Sequence, residues 1–202
     1  DDAPYEVRVK CPNVMEVYLN APEKTADAFD TDGFFITGDM MRFVDPGDMN
    51  KGLKFDGRMS EDFKLLTGNW VRAGQLRLDM LACLGGLAAA LVITGADKGA
   101  IGVMVFPNMS ELARAGFSDT STGGVLTDTG LLTEIRQRLA GNAKGAGSST
   151  RVARAIVLSE PASMAQGEMT AKGNLNFRKI LMRRAALLTR LYDNADPAVA
   201  KL

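Results

Sequence analysis

Leu87–Pro107 reads LAAALVITGADKGAIGVMVFP, two apolar runs separated by the short polar turn Gly95–Gly99. Each run is far too short to cross a membrane and has the length of a buried strand, so the stretch predicts a hairpin. The rest of the chain after Arg58 arranges around it. SEDFKLLTGNWV (Ser60–Val71) reads as extended, and GQLRLDMLACLG (Gly74–Gly85) carries apolar residues at helical spacing. Downstream, SELARAGF predicts a short helix with Ser110 as its N-cap. DTGLLTEIRQRLAG predicts an amphipathic helix and VARAIVLSEP a third strand. In NLNFRKILMRRAALLTRLYDNA, Phe177, Leu181, Ala185, Leu188 and Tyr192 fall on one face of a C-terminal helix, with Asn174 as a candidate N-cap. GNAKGAGSST (Gly141–Thr150) is a loop within this region. Residues 59–202 therefore predict a compact α+β domain, a few strands covered by helices.

Residues 1–58 have a different texture. YEVRVK (Tyr5–Lys10) alternates like a strand, APEKTADAFD places Pro22 near a helix start, and TDG (Thr31–Gly33) signals a turn. FFIT, MRFV and LKFDGR read as strands, with DPGDMNKG (Asp45–Gly52) as a polar loop. This is a small strand module of the barrel or meander type. The chain opens almost inside a strand, which reads as a piece of something longer.

Composition removes several kinds of chemistry. Among the 202 residues, 24 Lys and Arg balance 24 Asp and Glu. That balance argues against nucleic acid or an anionic membrane as the main partner. His is absent, so His-based triads, proton shuttles and metal ligands are excluded. Cys11 and Cys83 are the only cysteines; without a close-spaced pair no metal site is expected. They read as free thiols in a reducing compartment, most simply the cytoplasm.

Chemistry must then come from Lys, Arg, Asp, Glu, hydroxyls or backbone. Four places stand out: Asp39 in GFFITGDMMRFVD, the DGRMSEDFK segment with Arg58 and Lys64, TGNWV (Thr67–Val71), and GEMTAKGNLNFR (Gly167–Arg178). Each has a plain structural explanation when taken singly. Asp39 could cap a turn, Arg58 and Lys64 could be solvated charges, and Gly68 could allow a positive φ.

Taken in order, the motifs change that balance. Thr37-Gly38-Asp39, then Asp56-Gly57-Arg58, Lys64, a Gly turn, and Lys172-Gly173 before a C-terminal helix together resemble the adenylate-forming acyl-CoA synthetase superfamily. FVDPGDMNKGLKFDGRMSEDFKLLTGNWV and GEMTAKGNLNFRKILMRRAALLTRLY are most similar to its feruloyl-CoA synthetase group. The resemblance implies that residues 1–58 end the large AMP-binding domain and that residues 59–202 form the mobile lid. It further implies that Asp39 and Arg58 hold the nucleotide ribose, that Ser60 is the hinge, and that Lys172 is the catalytic lysine. Lys64 then assists thioester formation, and Gly68, Asn69 and Trp70 form a loop on the CoA side. Family members usually carry the lysine after a Gly; here Lys172 precedes Gly173, and Lys179 is its rival.

The implied substrates are ATP with Mg2+, CoA and a small carboxylic acid, an aryl acid such as ferulate in the closest group. The family's phosphate loop and acyl pocket lie in an upstream N-terminal domain and do not occur in this sequence. The chain by itself is therefore expected to be inactive and to bind no cofactor tightly. Other readings are the lid of a different adenylate-forming enzyme, such as a peptide-synthetase adenylation domain or a luciferase-like oxidase, and a non-catalytic binding module.

Overall fold

The computed structural model describes residues 4–142 and 147–202. The chain is α+β and divides into two compact units, one running to Asp62 and the other from Phe63 to Leu202. The division thus falls past the change in pattern at Arg58.

The first unit is a three-stranded antiparallel sheet in the order β1 (Tyr5–Val9), β2 (Phe35–Phe43), β3 (Leu53–Arg58). Helix α1 (Pro22–Ala28) starts at its proline, where the missing N–H costs nothing. β2 and β3 are joined through the Asp45–Gly52 loop, in which Asp48 caps a 3-10 turn over Met49–Lys51. FFIT and MRFV are not two strands. They belong to the single strand β2, which runs through Thr37-Gly38-Asp39.

The second unit starts with the small hairpin β4 (Phe63–Lys64) and β5 (Trp70–Val71), followed by α2 (Ala73–Leu84). Its main hairpin is β6 (Ala88–Thr94) and β7 (Ile101–Pro107), paired antiparallel as the opening stretch predicts. Then come α3 (Met109–Arg114), the short hairpin β8 (Ser121–Thr122) and β9 (Val125–Leu126), α4 (Thr129–Asn142) and β10 (Val152–Val157). β10 lies parallel to β7, and a C-terminal strand β11 (Ala200–Lys201), which the sequence pattern did not suggest, completes the order β11-β10-β7-β6. Of the Gly141–Thr150 loop, Gly141 and Asn142 continue α4, residues 147–150 form a turn, and the rest lies outside the described residues.

Both faces of this sheet are covered. Ile101, Val103 and Val105 of β7 pack with Leu76, Met80 and Leu84 of α2 and with Leu131, Ile135 and Leu139 of α4. The alternate residues Met104 and Phe106 pack with Ile180 and Leu191 on the other face. A strand buried on both faces has no polar side to show, which is why β7 reads as a continuous apolar run.

Two helix-start expectations are corrected. The N-cap of α3 is Asn108, whose side chain accepts from Glu111 N, not Ser110. The C-terminal segment is two helices, α5 (Phe177–Arg183) and α6 (Ala185–Leu191), broken at Arg184. Asn176, not Asn174, caps α5 by accepting from Lys179 N at 3.1 Å. With the break, Ala185 falls on the exposed side, while Ile180 and Leu191 supply the buried anchors.

Candidate active site

Thr37-Gly38-Asp39 sits where the sheet loses register on both sides. Against β1, Glu6 pairs with Met40 and Arg8 with Ile36, so Val7 alone faces Thr37, Gly38 and Asp39. Against β3, Asp39 pairs with Arg58 and Met41 with Phe55, so Met40 alone faces Asp56 and Gly57. Bulges of this kind re-aim side chains away from the regular pleat. Gly38 makes the first bulge possible with φ +69. A Cβ there would meet nothing within 4 Å, so it is backbone conformation and not space that calls for Gly. The Thr37 hydroxyl donates to Val7 O at 2.6 Å and accepts from Asp39 N at 3.1 Å, stitching the bulge to its neighbour.

The register brings Asp39 and Arg58 together, with Arg58 Nε 2.9 Å from Asp39 Oδ1. Oδ1 is itself out of solvent and accepts no hydrogen bond. The contact is therefore an ion contact lacking the alignment of a hydrogen bond. The Asp39 side chain as a whole is 30% exposed, and a partly exposed carboxylate beside a guanidinium has the chemistry to receive a vicinal diol. The nearby Asp56 is a different case, a buried carboxylate 2.9 Å from Arg42 Nη2 that ties β2 to β3. Ser60 lies in the 3-10 turn Met59–Glu61 that follows β3.

In the second unit, Lys64 pairs across the β4–β5 hairpin with Trp70. Its Nζ stands 5.6 Å from the centre of the exposed Trp70 ring, within cation–π reach. Gly68 turns the hairpin at φ +86, and Asn69 Nδ2 donates to Ser148 Oγ at 2.5 Å. The turn between β6 and β7 supports this hairpin, since Leu66 N donates to Lys98 O and Asp97 N to Lys64 O. That turn is in turn held by Tyr192, whose hydroxyl lies 3.0 Å from Thr94 O and 3.1 Å from Ala100 O. Burial pushes the Tyr192 hydroxyl up to about 12, so it remains a donor.

Lys172 occupies the tip of a tight turn. Thr170 N donates to Asn174 O, Gly173 N donates back to Thr170 O, and Met169 bridges to Leu175 below. Gly173 takes φ +81, which the turn requires immediately after the lysine. Lys172 is exposed. Lys179, its rival, is half-buried in the first turn of α5.

Glu168 is the residue that sequence reasoning passed over. Its side chain is wholly enclosed, with Arg183 and Arg184 both at 2.8 Å. The Arg184 fork, helped by the Ser163 N–H, holds the carboxyl down at about 2 against the cost of burial. Nothing local signals this; the paired guanidinium of Arg184 stands sixteen residues away along the chain.

Two open depressions, of about 470 Å3 beside Met109 and Phe117 and about 280 Å3 beside Gly86 and Arg138, hold none of the expected residues. Among the described residues no group of three or more acidic or Cys side chains gathers to hold a metal ion, so none is assigned to Mg2+. Among them, too, no helix is long and apolar enough to cross a membrane.

Comparison with known proteins bears on the fold. No protein-family model matches the chain. The chain is 42% identical over 66 residues to human long-chain-fatty-acid–CoA ligase 1, covering 33% of this chain and 9% of that protein. The adenylation domain of a carboxylate reductase from Mycobacterium chelonae superposes with a TM-score of 0.72 at 26% identity, over 94% of this chain and 28% of the other. The corresponding domain from Segniliparus rugosus, solved with AMP and a co-purified carboxylic acid, shares the fold at a TM-score of 0.68 and 23% identity, over 94% of this chain and 28% of that one. These neighbours support the adenylate-forming acyl-CoA ligase superfamily. The chain spans about a tenth of the curated ligase it matches and just over a quarter of each adenylation domain.

Proposed function

We propose that the chain is the C-terminal part of an ATP-dependent, AMP-forming acid–CoA ligase. Residues 1–58 end the large domain, and residues 59–202 form a lid that turns at Ser60. The observation that carries the reading is the partly exposed carboxylate of Asp39, placed beside Arg58 on a strand bulged on both sides. It receives the ribose hydroxyls of ATP and of the adenylate.

In the first step a substrate carboxylate oxygen attacks the α-phosphorus of ATP and pyrophosphate leaves. Lys172, exposed on its turn, stabilises the negative charge that builds on the phosphate and carboxylate oxygens. In the second step the CoA sulfur attacks the acyl carbon and AMP leaves, with Lys64 and the Gly68–Trp70 loop on that side. An aryl acid such as ferulate is the proposed substrate, on the resemblance of the segments around Asp56 and Lys172. The free thiols of Cys11, exposed, and Cys83, half-buried, suit a reducing cytoplasm.

A second reading, an adenylation domain of a carboxylate reductase, is favoured by the 94% coverage at TM-score 0.72. Consumption of free CoA by the intact enzyme separates the two.

The test of the main reading is Asp39→Ala in the intact enzyme, followed by acid-dependent exchange between pyrophosphate and ATP. Losing hydrogen bonds to a charged group raises the ATP concentration for half-maximal exchange by roughly tenfold to a hundredfold. The thermal midpoint stays nearly unchanged. An unchanged ATP dependence with a lowered midpoint would make Asp39 a turn cap and overturn the reading.

A further inference from the structure

We propose that Glu168 is the positioning residue for Lys172, a buried strut that fixes the base of the Thr170–Asn174 turn and so presents the lysine ammonium in one place. The proposal rests on the reading of Lys172 above and deepens it.

Glu168 stands four residues before Lys172 and is held through every polar group it has. Oε1 accepts from Arg184 Nε at 2.9 Å and lies 2.8 Å from Arg183 Nη1. Oε2 accepts from Arg184 Nη2 at 2.8 Å and from Ser163 N at 2.9 Å. The backbone N–H donates to Ser163 O at 2.9 Å, and the carbonyl accepts from Asn176 N at 2.8 Å. Arg184 carries the anchorage further, donating to Glu160 O and Pro161 O and lying 5.0 Å from the Phe106 ring of β7. A continuous path of contacts thus runs from the central sheet through Arg184 and Glu168 to Asn176, on the far side of the turn. The break between α5 and α6 falls at Arg184, where both guanidinium groups meet one carboxylate.

A buried ion pair of this kind adds little net stability over a well-packed apolar cluster, because desolvation offsets the attraction. What it supplies is direction, two hydrogen bonds in a fixed fork. Lys172 needs that direction. It is long, exposed and mounted on a five-residue turn, and charge stabilisation depends on holding the ammonium at the reacting oxygens.

The experiment uses the intact enzyme with Glu168→Gln and Lys172→Ala. Three quantities are read: amide hydrogen exchange across 169–176, acid-dependent pyrophosphate–ATP exchange, and thioester formation from supplied acyl-adenylate plus CoA. In Glu168→Gln the turn amides lose protection and pyrophosphate–ATP exchange falls by about a hundredfold. Thioester formation stays within about twofold, since a ground-state fold defect would depress both steps alike. Should Glu168→Gln fail to fold, Arg183→Ala decides. Its side chain is 35% exposed, its loss leaves the Arg184 fork in place, and a several-fold loss confined to the first step is expected. An equal fall in both steps, or a loosened turn with unchanged exchange while Lys172→Ala is impaired, overturns the strut. Unimpaired exchange in Lys172→Ala instead removes the lysine reading, and the positioning role goes with it.

Discussion

Between Tyr5 and Asp62 only Asp56 and Gly57 are buried among the described residues, whereas the second unit closes two apolar clusters over the two faces of one sheet. Tyr5, Val17, Leu19, Phe34 and Phe55 of the first unit stand open. The contrast separates two ways of holding a functional group. Asp39 is aimed by backbone devices, a double register shift and a glycine at positive φ. Lys64 and Lys172 ride on turns braced against a packed core, one by the β6–β7 turn and the other by a buried carboxylate.

The largest effect that can break this contrast is a matched pair of truncations. Leu91 is fully buried between α2 and the sheet, and Phe55 is half-exposed on β3. Leu91→Ala is expected to cost about 2–5 kcal/mol, the lost transfer energy plus the cavity left behind. Phe55→Ala in the same chain costs about 0.5 kcal/mol or less, as for other exposed positions. Urea unfolding of both variants checks this. Similar losses would mean that the first unit has a core of its own.

The same contrast explains which parts of the molecule could be read from sequence. Burial on both faces imposes continuous apolar runs, so β6, β7 and β10 were legible at once. The helical stripe of α2 was legible because Leu76, Met80 and Leu84 fall at i, i+4 and i+8. The C-terminal helix was read as one piece because its period continues across Arg184. What breaks it is a long-range demand, the carboxylate of Glu168, that no window of sequence displays. The Thr-Gly-Asp bulge was misread as a gap between strands for the same reason, since register with β1 and β3 is not local. The motif residues stand out only through their order along the chain, and of them Asp39 and Arg58 meet.

The buried carboxylate gives the next effect. Glu168 keeps its charge in the folded state down to about pH 2, while its ordinary value is 4.5. The folded value is depressed, so the stabilisation is complete above about pH 5 and is lost as pH falls toward 2. The shift corresponds to about 3 kcal/mol. Wild type and Glu168→Gln should therefore differ most in urea midpoint near neutral pH and converge as pH approaches 2. A difference that stays constant from pH 6 to about pH 2.5 would show that the pair contributes through shape alone. The lid would then be braced by packing throughout, and the contrast between its turns and its core would lose its electrostatic part.

The smallest effect sharpens the contrast at one helix end. Asn174 and Asn176 are the same residue type two positions apart, and both precede α5. Asn176 Oδ1 accepts from Lys179 N at 3.1 Å and satisfies one of the unpaired donors of the first turn. Asn174 takes part through its backbone, its N–H donating to Thr170 Oγ1 and its carbonyl accepting from Thr170 N. Asn176→Ala is therefore expected to cost about 1 kcal/mol, the usual loss for an N-cap. Asn174→Ala should stay within about 0.5 kcal/mol, because its bonds among the described residues run through the backbone. The measurement is the urea midpoint of each variant at neutral pH, with amide exchange at Lys179 as a local check. Only Asn176→Ala should raise exchange there. Equal losses would mean that the Lys172 turn, and not the cap, sets where α5 begins, and would move the boundary between turn and helix back toward Asn174.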